Sequence, residues 1–356
     1  FWLKPYHFEP RRFVGQMVAR AMASFAALSW LAAALLPRAA WASGAAPSVR
    51  LRNGVEMPLL AAGTWQYNES QAEASVANAI KAGFTMFDTA YDYHNQPGVG
   101  RAVRAATSDH GIPREKLFVE TKVPGCGLDP AVSVGRCYED THKALAKNVE
   151  LLGLDYVDLV ILHFPPRAAF VTRTCRFVCK QVRDQWRAME EFLATGSARA
   201  IGVSNYCPSC FACLDGVAQV YPMVNQIAYH IGMGPDPAGF KSLADEKGVV
   251  LQAYSPLGNT PWKHGADPEI MSGTFTTGLA DAHGKSTIQV ALKWLVQHKV
   301  PVVTKSSSLK HLEQDIDLWS WNLTESELDA ADKYRNFGMP SFACNFADQV
   351  TPELVV

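Results

Sequence analysis

The chain has 356 residues, and its 33 lysines and arginines nearly balance its 34 aspartates and glutamates. This length can bury a sizeable core, either in one large α/β domain or in two smaller ones. The balanced charge gives no reason to expect nucleic acid or an acidic surface as a partner, because such partners select for an excess of basic residues.

The first 48 residues differ in character from the rest of the chain. An uncharged apolar segment runs from Ala21 to Leu36, with Arg20 before it and Ala40–Ala42 shortly after it. It is shorter than the ~20 apolar residues that a membrane-spanning helix needs. A basic flank, a short apolar segment and small residues at a cleavage position are typical of an export signal. We predict a leader over residues 1–48, with a helix packed on the domain or an amphipathic targeting helix as alternatives.

The leader decides where the protein is expected to act. If it is a true signal, the protein is exported or enters an organelle lumen; otherwise it is cytoplasmic. In either case we expect a monomer with no stable membrane span after leader removal, folded over residues 49–356.

A hairpin begins the folded part of the chain. Val49–Arg52 and Val55–Met57 flank Asn53-Gly54, a pair that is typical of a two-residue turn between antiparallel strands.

After the hairpin, short apolar runs alternate with segments whose apolar residues recur every three or four positions, as in helices. The runs are Leu59–Thr64, Thr85–Asp88, Leu117–Lys122, Val157–His163, Ala200–Ser204, Met223–Ile227, Val249–Tyr254 and Val300–Thr304. So many strand-then-helix units favour a closed parallel barrel over an open sheet. No glycine-rich dinucleotide fingerprint follows the first run, which also disfavours an open nucleotide-binding sheet. We predict an α/β fold, a (β/α)8 TIM barrel whose bottom is closed by the N-terminal β-hairpin.

Cysteines are numerous, and an even number permits disulfides in an exported chain without defining their pairing. They are Cys126, Cys137, Cys175, Cys179, Cys207, Cys210, Cys213 and Cys344. Local bridges between Cys126 and Cys137 or between Cys175 and Cys179 are conceivable, but our default expectation is free thiols. The run from Cys207 to Cys213 resembles a metal knuckle but lacks a second ligand pair at zinc spacing, so we expect no metal.

Polar residues stand at the ends of three consecutive apolar runs. Asp88, Lys122 and His163 end the second, third and fourth runs, and Tyr93 lies just beyond the second. Singly, each has an ordinary explanation as a turn residue, a pocket-lining ring or a histidine bonded to the backbone. Because barrel active sites lie at the C-terminal ends of strands, the four together predict one catalytic site.

The chemistry of these four side chains suits the reduction of a carbonyl group. Hydride addition leaves an alkoxide that needs a proton, and Tyr93 can supply it if its anion is stabilised. The ammonium of Lys122 would stabilise that anion, and Asp88 would fix the lysine. His163 would orient the substrate oxygen or share the proton transfer.

Further motifs resemble those of the aldo-keto reductase family, from the hairpin to about Asp332. They are Gly63-Thr64-Trp65, Phe87–Asn95 with Gly100, Leu154–Leu159, Ile201–Asn205, Asn225-Gln226 and Ala253–Leu257. The resemblance implies an NADPH-dependent oxidoreductase that reduces aldehydes or ketones to alcohols, an alcohol dehydrogenase (NADP+) type of enzyme. It also assigns catalysis to the four residues at the strand ends.

By the same resemblance, amide and hydroxyl side chains would bind the nicotinamide end of the cofactor. Ser204, Asn205 and Gln226 would hold the carboxamide, and the ring of Tyr254 would stack on the nicotinamide. Further contacts are expected from Thr64, Ser255 and Leu257, the last two at the pyrophosphate.

The adenosine end of the cofactor matches the family less well. Lys305 and Ser306 resemble the segment that binds the extra phosphate of NADPH. His311 stands where the family usually has an arginine, and Gln314 and Asp315 replace a glutamate and an asparagine. Without that arginine phosphate recognition would be weaker, so NADH is the alternative cofactor.

The substrate is expected to be a small-molecule carbonyl compound. Trp65 and Phe164 would line an apolar pocket, which favours medium-sized aldehydes and ketones over charged sugars.

Two other functions fit parts of the sequence. A catalytically weak, cofactor-binding regulatory protein could use the same barrel, as do the potassium-channel β-subunits that resemble this family. A secreted, disulfide-stapled binding protein would account for the leader and the cysteines alone. The presence of all four catalytic residue types favours the enzyme.

Overall fold

The computed structural model describes residues 47–258 and 266–335. The predicted leader therefore lies outside the described residues except for its last two positions, and Ser48 already belongs to the first strand. Within these ranges, none of the helices combines the length and the apolar character that crossing a membrane requires.

The described chain alternates strands and helices. The strands are β1 (Ser48–Arg50), β2 (Glu56–Pro58), β3 (Leu60–Gly63), β4 (Met86–Asp88), β5 (Phe118–Val123), β6 (Val157–Leu162), β7 (Ala198–Ser204), β8 (Val224–Ala228), β9 (Val250–Tyr254) and β10 (Val302–Thr304). The α-helices are α1 (Glu69–Ala82), α2 (Gln96–Ser108), α3 (Cys137–Leu152), α4 (Arg167–Thr172), α5 (Cys179–Ala194), α6 (Pro208–Ala212), α7 (Phe240–Lys247), α8 (Pro268–Ser272), α9 (Thr274–His283), α10 (Thr287–Gln297), α11 (Leu309–Ile316) and α12 (Glu325–Lys333).

Eight of these strands close into a parallel barrel in the order β10-β3-β4-β5-β6-β7-β8-β9. Each of the eight apolar runs overlaps one barrel strand, with ends that agree to within two residues, so the predicted (β/α)8 barrel is confirmed. Strands β5 and β6 are buried along their whole length, because one face points into the barrel and the other packs against helices.

The N-terminal hairpin covers the end of the barrel at which the strands begin. Strand β1 pairs antiparallel with β2, and Leu51 and Met57 are buried. Asn53 donates a hydrogen bond to the carbonyl oxygen of Arg199, at the start of β7. Arg52 reaches the carbonyl oxygen of Lys247, at the end of the helix before β9. The predicted position of the hairpin at the barrel bottom is therefore confirmed.

The turn of the hairpin differs from the prediction. Asn53-Gly54 does not form a two-residue turn; instead the amide of Gly54 donates to the carbonyl oxygen of Leu51, which places Arg52 and Asn53 at the centre. Gly54 follows with φ of 87°, a left-handed conformation that glycine adopts without steric cost. The result is a turn with one additional residue before β2, a common three-residue hairpin loop.

The expectation of free thiols is wrong for the described cysteines. Cys126 pairs with Cys137, as the sequence allowed, but Cys175 does not pair with Cys179. Two bridges run instead between Cys175 and Cys210 and between Cys179 and Cys213. Cys207 is also in a disulfide, whereas Cys344 lies outside the described residues.

The three bridges lie on loops that follow barrel strands. The first closes the loop between β5 and α3, and the other two connect the loop after β6 to the segment after β7. All three therefore stiffen the face of the barrel at which the strands end, where barrel enzymes place their sites.

The two bridges between neighbouring loops should stabilise the fold non-additively. With the Cys179–Cys213 bridge intact, the Cys175–Cys210 bridge closes only a small ring, which consists of residues 175–179 and 210–213. Its loss should therefore lower the unfolding free energy by about 2 kcal/mol. Loss of both should exceed the sum of the single losses by about 1 kcal/mol, because a longer loop then opens. Urea unfolding of the paired Cys→Ser variants measures these costs. The independent Cys126–Cys137 bridge is the control, and additivity between the two neighbouring bridges would contradict the expectation.

Candidate active site

The loop after β4 brings a tyrosine back towards the end of the barrel. After Asp88 the chain forms a short 3-10 helix over Tyr91–Tyr93. The buried amide of Asn95 holds this loop in place by donating to the carbonyl oxygens of Thr64 and Tyr67, in the loop after β3. Two neighbouring strand-end loops are thereby fixed to each other.

A buried lysine connects the predicted catalytic residues. The Nζ atom of Lys122 lies 2.5 Å from Oδ2 of Asp88, 3.0 Å from the carbonyl oxygen of Thr89 and 3.3 Å from Oη of Tyr93. Solvent does not reach Lys122, so its charge acts across a medium that screens it poorly.

The charges around Lys122 shift the pKa values of both partners. Burial lowers the pKa of Lys122, but the charges of Asp88, Tyr93 and Glu120 and the hydrogen bond to Asp88 together outweigh it, so the net pKa is raised. Burial raises the pKa of Tyr93, and the neighbouring lysine opposes this only in part. Tyr93 is therefore a neutral phenol that can donate a proton, and the ammonium of Lys122 is placed to stabilise the phenolate that would be left.

The fourth predicted residue, His163, follows β6 and points at the same opening. Its Nδ1 atom lies 3.0 Å from Oδ1 of Asp92, and its ring meets the ring of Tyr93 edge-on at 5.7 Å. Burial acts to raise the pKa of Asp92, yet the charge of His163 and its hydrogen bond lower it. The ionised Asp92 accepts the hydrogen bond, so Nδ1 carries a proton and Nε2 faces away from the carboxylate.

The residues expected at the nicotinamide lie along β7, β8 and β9. Asn205 follows β7 with φ of 60°, and its Oδ1 accepts a hydrogen bond of 2.8 Å from the hydroxyl of Tyr254. The hydroxyl of Ser204 donates to the carbonyl oxygen of Gln226 at 2.8 Å. Asn205 and Tyr254 thus fix each other at the end of the barrel.

A cavity of about 370 Å³ opens between these strand ends. Its lining among the described residues is Gly63, Trp65, Asp88, Asp92, Tyr93, His163, Phe164, Asn205, Gln226, Tyr254, Ser255, Pro256, Leu257, Ala266, Val303, Thr304 and Lys305. Its size and its mixture of apolar rings with a few polar groups are typical of small-molecule sites.

Most of the predicted site residues meet at this cavity. Asp88, Tyr93 and His163 line it, as do the expected substrate contacts Trp65 and Phe164. So do six expected cofactor contacts, namely Asn205, Gln226, Tyr254, Ser255, Leu257 and Lys305. Lys122 lies behind Asp88 and Tyr93 rather than in the lining, as a residue that acts through both would.

Four expected cofactor residues do not line the cavity. The hydroxyl of Thr64 donates to the carbonyl oxygen of Asp88, and the hydroxyl of Ser204 donates to the carbonyl oxygen of Gln226. Ser306 accepts a hydrogen bond from the amide of Ser308, the residue that caps α11, and His311 lies exposed in the first turn of that helix.

Lys305 is exposed at the edge of the cavity. Its Nζ atom donates to the carbonyl oxygen of Trp65 at 3.0 Å and to Oε1 of Gln66 at 3.2 Å. It also lies 4.9 Å from the ring centre of Tyr67. Desolvation lowers the pKa of Lys305, and an anion bound beside it would oppose that shift.

Two residues of the site were not predicted from the sequence. The first is Asp92, which precedes Tyr93 in the sequence and whose side chain contacts His163. Glu120 is fully buried inside the barrel, two residues before Lys122. Strand alternation could have identified Glu120, because residues two apart in a strand share a face.

The fold and this site define a barrel oxidoreductase, and a comparison with protein families agrees. The model described as "Aldo/keto reductase family" matches residues 59–336. The chain therefore belongs to the aldo/keto reductase family.

Curated relatives span the same region. The chain is 32% identical over 286 residues to the 9,11-endoperoxide prostaglandin H2 reductase of Trypanosoma cruzi, covering 80% of this chain and 90% of the relative. It is also 32% identical over 286 residues to the glyoxal reductase of Bacillus subtilis, covering 80% and 91%. Among solved structures, a Bombyx mori aldo-keto reductase in complex with NADP has a TM-score of 0.69 at 26% identity, covering 82% and 94%.

Removing the buried lysine should destabilise the fold because it leaves a carboxylate without its cation. Lys122→Met should lower the unfolding free energy by about 3–5 kcal/mol, and Lys122→Met combined with Asp88→Asn should lower it by less. The exposed Lys116, changed to methionine, is the control, with an expected change within about 0.5 kcal/mol. Urea unfolding of the three variants gives these values, and equal losses for the single and double variants would contradict the expectation.

Proposed function

We propose that the protein reduces an aldehyde or a ketone to an alcohol, with NADPH as the hydride donor. One observation carries the proposal: Tyr93 lines the cavity, and its hydroxyl lies 3.3 Å from a buried ammonium that is itself paired with Asp88. This is the arrangement that a proton donor to a developing alkoxide requires. When bound, NADPH supplies the hydride that adds to the carbonyl carbon.

The cavity has groups that suit this cofactor. Asn205 and Gln226 present amides, which match the hydrogen-bonding groups of a carboxamide, and Tyr254 presents a ring on which a flat heterocycle can stack. All three line the cavity that also holds Tyr93. Side chains of this chain would thus set which face of the ring meets the substrate.

The proton transfer follows from the shifts at Tyr93 and Lys122. The phenol remains protonated before the reaction, because burial raises its pKa. As negative charge develops on the substrate oxygen, Tyr93 donates its proton, and the ammonium of Lys122 stabilises the phenolate. Asp88 holds the lysine in position throughout.

His163 has a separate role at the substrate oxygen. Because Nδ1 donates to Asp92, the neutral ring has Nε2 as an acceptor and becomes a donor there only as the imidazolium. In that state Nε2 would donate to the carbonyl oxygen and hold it beside Tyr93, whose ring meets the imidazole edge-on.

The rings of Trp65 and Phe164 support an uncharged carbonyl substrate. Both line the cavity, and Phe164 packs against His163 with 4.5 Å between ring centres. Two relatives with equal identity are named for different substrates, so similarity alone does not select the compound. Asp92 at the cavity surface would repel a substrate carboxylate.

The disulfides support an oxidising compartment as the place of folding, and we propose export or an organelle lumen. Three bridges in the described residues are typical of such compartments and rare in the cytosol. The predicted leader would provide the route, although it lies outside the described residues.

Removal of the Tyr93 hydroxyl should abolish most of the reduction. Tyr93→Phe should lower kcat by about 10²–10⁴-fold, with NADPH affinity nearly unchanged, because the hydroxyl acts on the alkoxide. The assay is NADPH oxidation with 4-nitrobenzaldehyde, alongside fluorescence titration of NADPH. Tyr156→Phe, at the opposite end of the barrel, is the control. Unchanged turnover would remove Tyr93 from this role, and cofactor binding without turnover in the unaltered protein would favour a regulatory barrel.

Lys305 should distinguish NADPH from NADH. Lys305→Met should weaken NADPH binding by about 10- to 100-fold and leave NADH binding unchanged, since one charge-assisted hydrogen bond contributes about 1.5–3 kcal/mol. Lys310→Met, on the exposed face of α11, is the matched control. Dissociation constants for both cofactors and both variants provide the test. Equal affinities of the unaltered protein for the two cofactors would show that Lys305 does not recognise the phosphate.

A further inference from the structure

A second carboxyl group lies beneath the Asp88–Lys122 pair. Glu120 is adjacent to Asp88 across the β4–β5 pairing and, two residues before Lys122, shares its inward direction. No solvent reaches Glu120. Its two carboxyl oxygens lie 2.7 Å from Nε2 of Gln226 and 2.7 Å from Nε2 of Gln252.

The charges around Glu120 do not balance if it is ionised. Asp88 from β4 is one neighbouring carboxylate, and Lys122 from β5 is the cation whose charge acts on Glu120. The side chains of β8 and β9 that bind Glu120 are neutral amides. Strands β3 and β10 have no titratable side chain.

The remaining barrel strands do not supply a second cation. The titratable residues within β6 and β7 are Asp158 and Arg199, which pair with each other at 2.7 Å. One buried ammonium therefore faces two carboxyl groups, and a buried charge without a partner is costly. The state of lower free energy has one proton shared between the two acids.

Glu120 is the acid that holds this proton. Burial raises the pKa of Glu120 to about 8, and the charge of Asp88 adds to the shift, while the charge of Lys122 and the hydrogen bond from Gln252 oppose it. The protonated group donates a hydrogen bond to Asp88. Gln226 Nε2 also lies 3.1 Å from Oδ2 of Asp88, so the proton and the amide meet at the same carboxylate.

We propose that Glu120 is a positioning residue whose bound proton keeps the ammonium of Lys122 directed at Tyr93. The inference rests on the proposed carbonyl reduction. When Glu120 loses its proton to solvent, a second carboxylate competes for Lys122 and adds negative charge below the phenol. The phenolate is then less stable and Tyr93 is a weaker acid, so reduction slows above neutral pH.

The same proton makes the stability of the fold depend on pH. The pKa of Glu120 in the fold is about 8, above its ordinary value of 4.5, so the folded state binds the additional proton between these two values. Stability therefore falls as pH rises from the ordinary value through about 8. Glu120→Gln, which imitates the protonated acid, removes this dependence.

The test compares the unaltered protein with Glu120→Gln and with Glu115→Gln, an exposed glutamate shortly before β5. The rate of 4-nitrobenzaldehyde reduction by NADPH is measured from about pH 6 to about pH 10. In the unaltered protein and the Glu115 variant, kcat should fall to about a tenth within one to two pH units above about pH 8. Glu120→Gln should lose this decline, so that its kcat at about pH 9 to about pH 10 stays within about twofold of its own value at about pH 7. An identical decline in Glu120→Gln overturns the proposal.

A second measurement does not depend on turnover or on the folding of the variant. Infrared difference spectra of the unaltered protein should show a protonated-carboxyl band that disappears as pH rises through about 8. Among the described residues Asp315 is another buried acid whose pKa is raised, to about 6, so its band is separated from that of Glu120 by pH. Absence of the band overturns the proposal. An unaltered protein that shows the band but reduces no carbonyl compound would instead contradict the proposed function.

Discussion

Inside the barrel, the ammonium of Lys122 is paired with the carboxylate of Asp88, and solvent barely reaches either side chain. Much of the surrounding structure accommodates that pair. Asn95 fixes the loop that presents Tyr93, and amides from β8 and β9 satisfy the polar atoms next to Asp88. A barrel interior is normally filled by apolar side chains. Here polar groups replace part of that packing, and each needs a partner because burial makes an unsatisfied group costly.

The barrel was predictable because its signal repeats along the chain. Each apolar run and each helical spacing is local, and eight such units leave few topologies. The hairpin turn was predicted wrongly because Asn53-Gly54 fits two loop types, and the contacts of Leu51 decide between them. Disulfide pairing depends on which loops meet in space. Cys175 and Cys179 are close in sequence, but each faces the segment after β7.

The candidate site was predictable where a residue ends a strand. Asp88, Lys122 and His163 follow that rule, and the closed barrel brings them to one opening. Asp92 required the short 3-10 helix that turns it towards His163, which no local pattern shows. Glu120 could have been placed inside the barrel from strand alternation. The protonation of Glu120 could not be predicted in this way, because it depends on two other charged residues that meet Glu120 only in the folded interior.

The disulfides on the loops after β5, β6 and β7 have a consequence for ligand entry. Loops around a barrel site usually sample several arrangements and lose that freedom when a ligand binds. Here covalent links limit the sampling before any ligand arrives, so less conformational entropy remains to be lost on binding. A shape fixed in this way favours compounds that already match it and gives poor access to those that need the loops to open. Selectivity would then be established during oxidative folding, before the first encounter with a ligand.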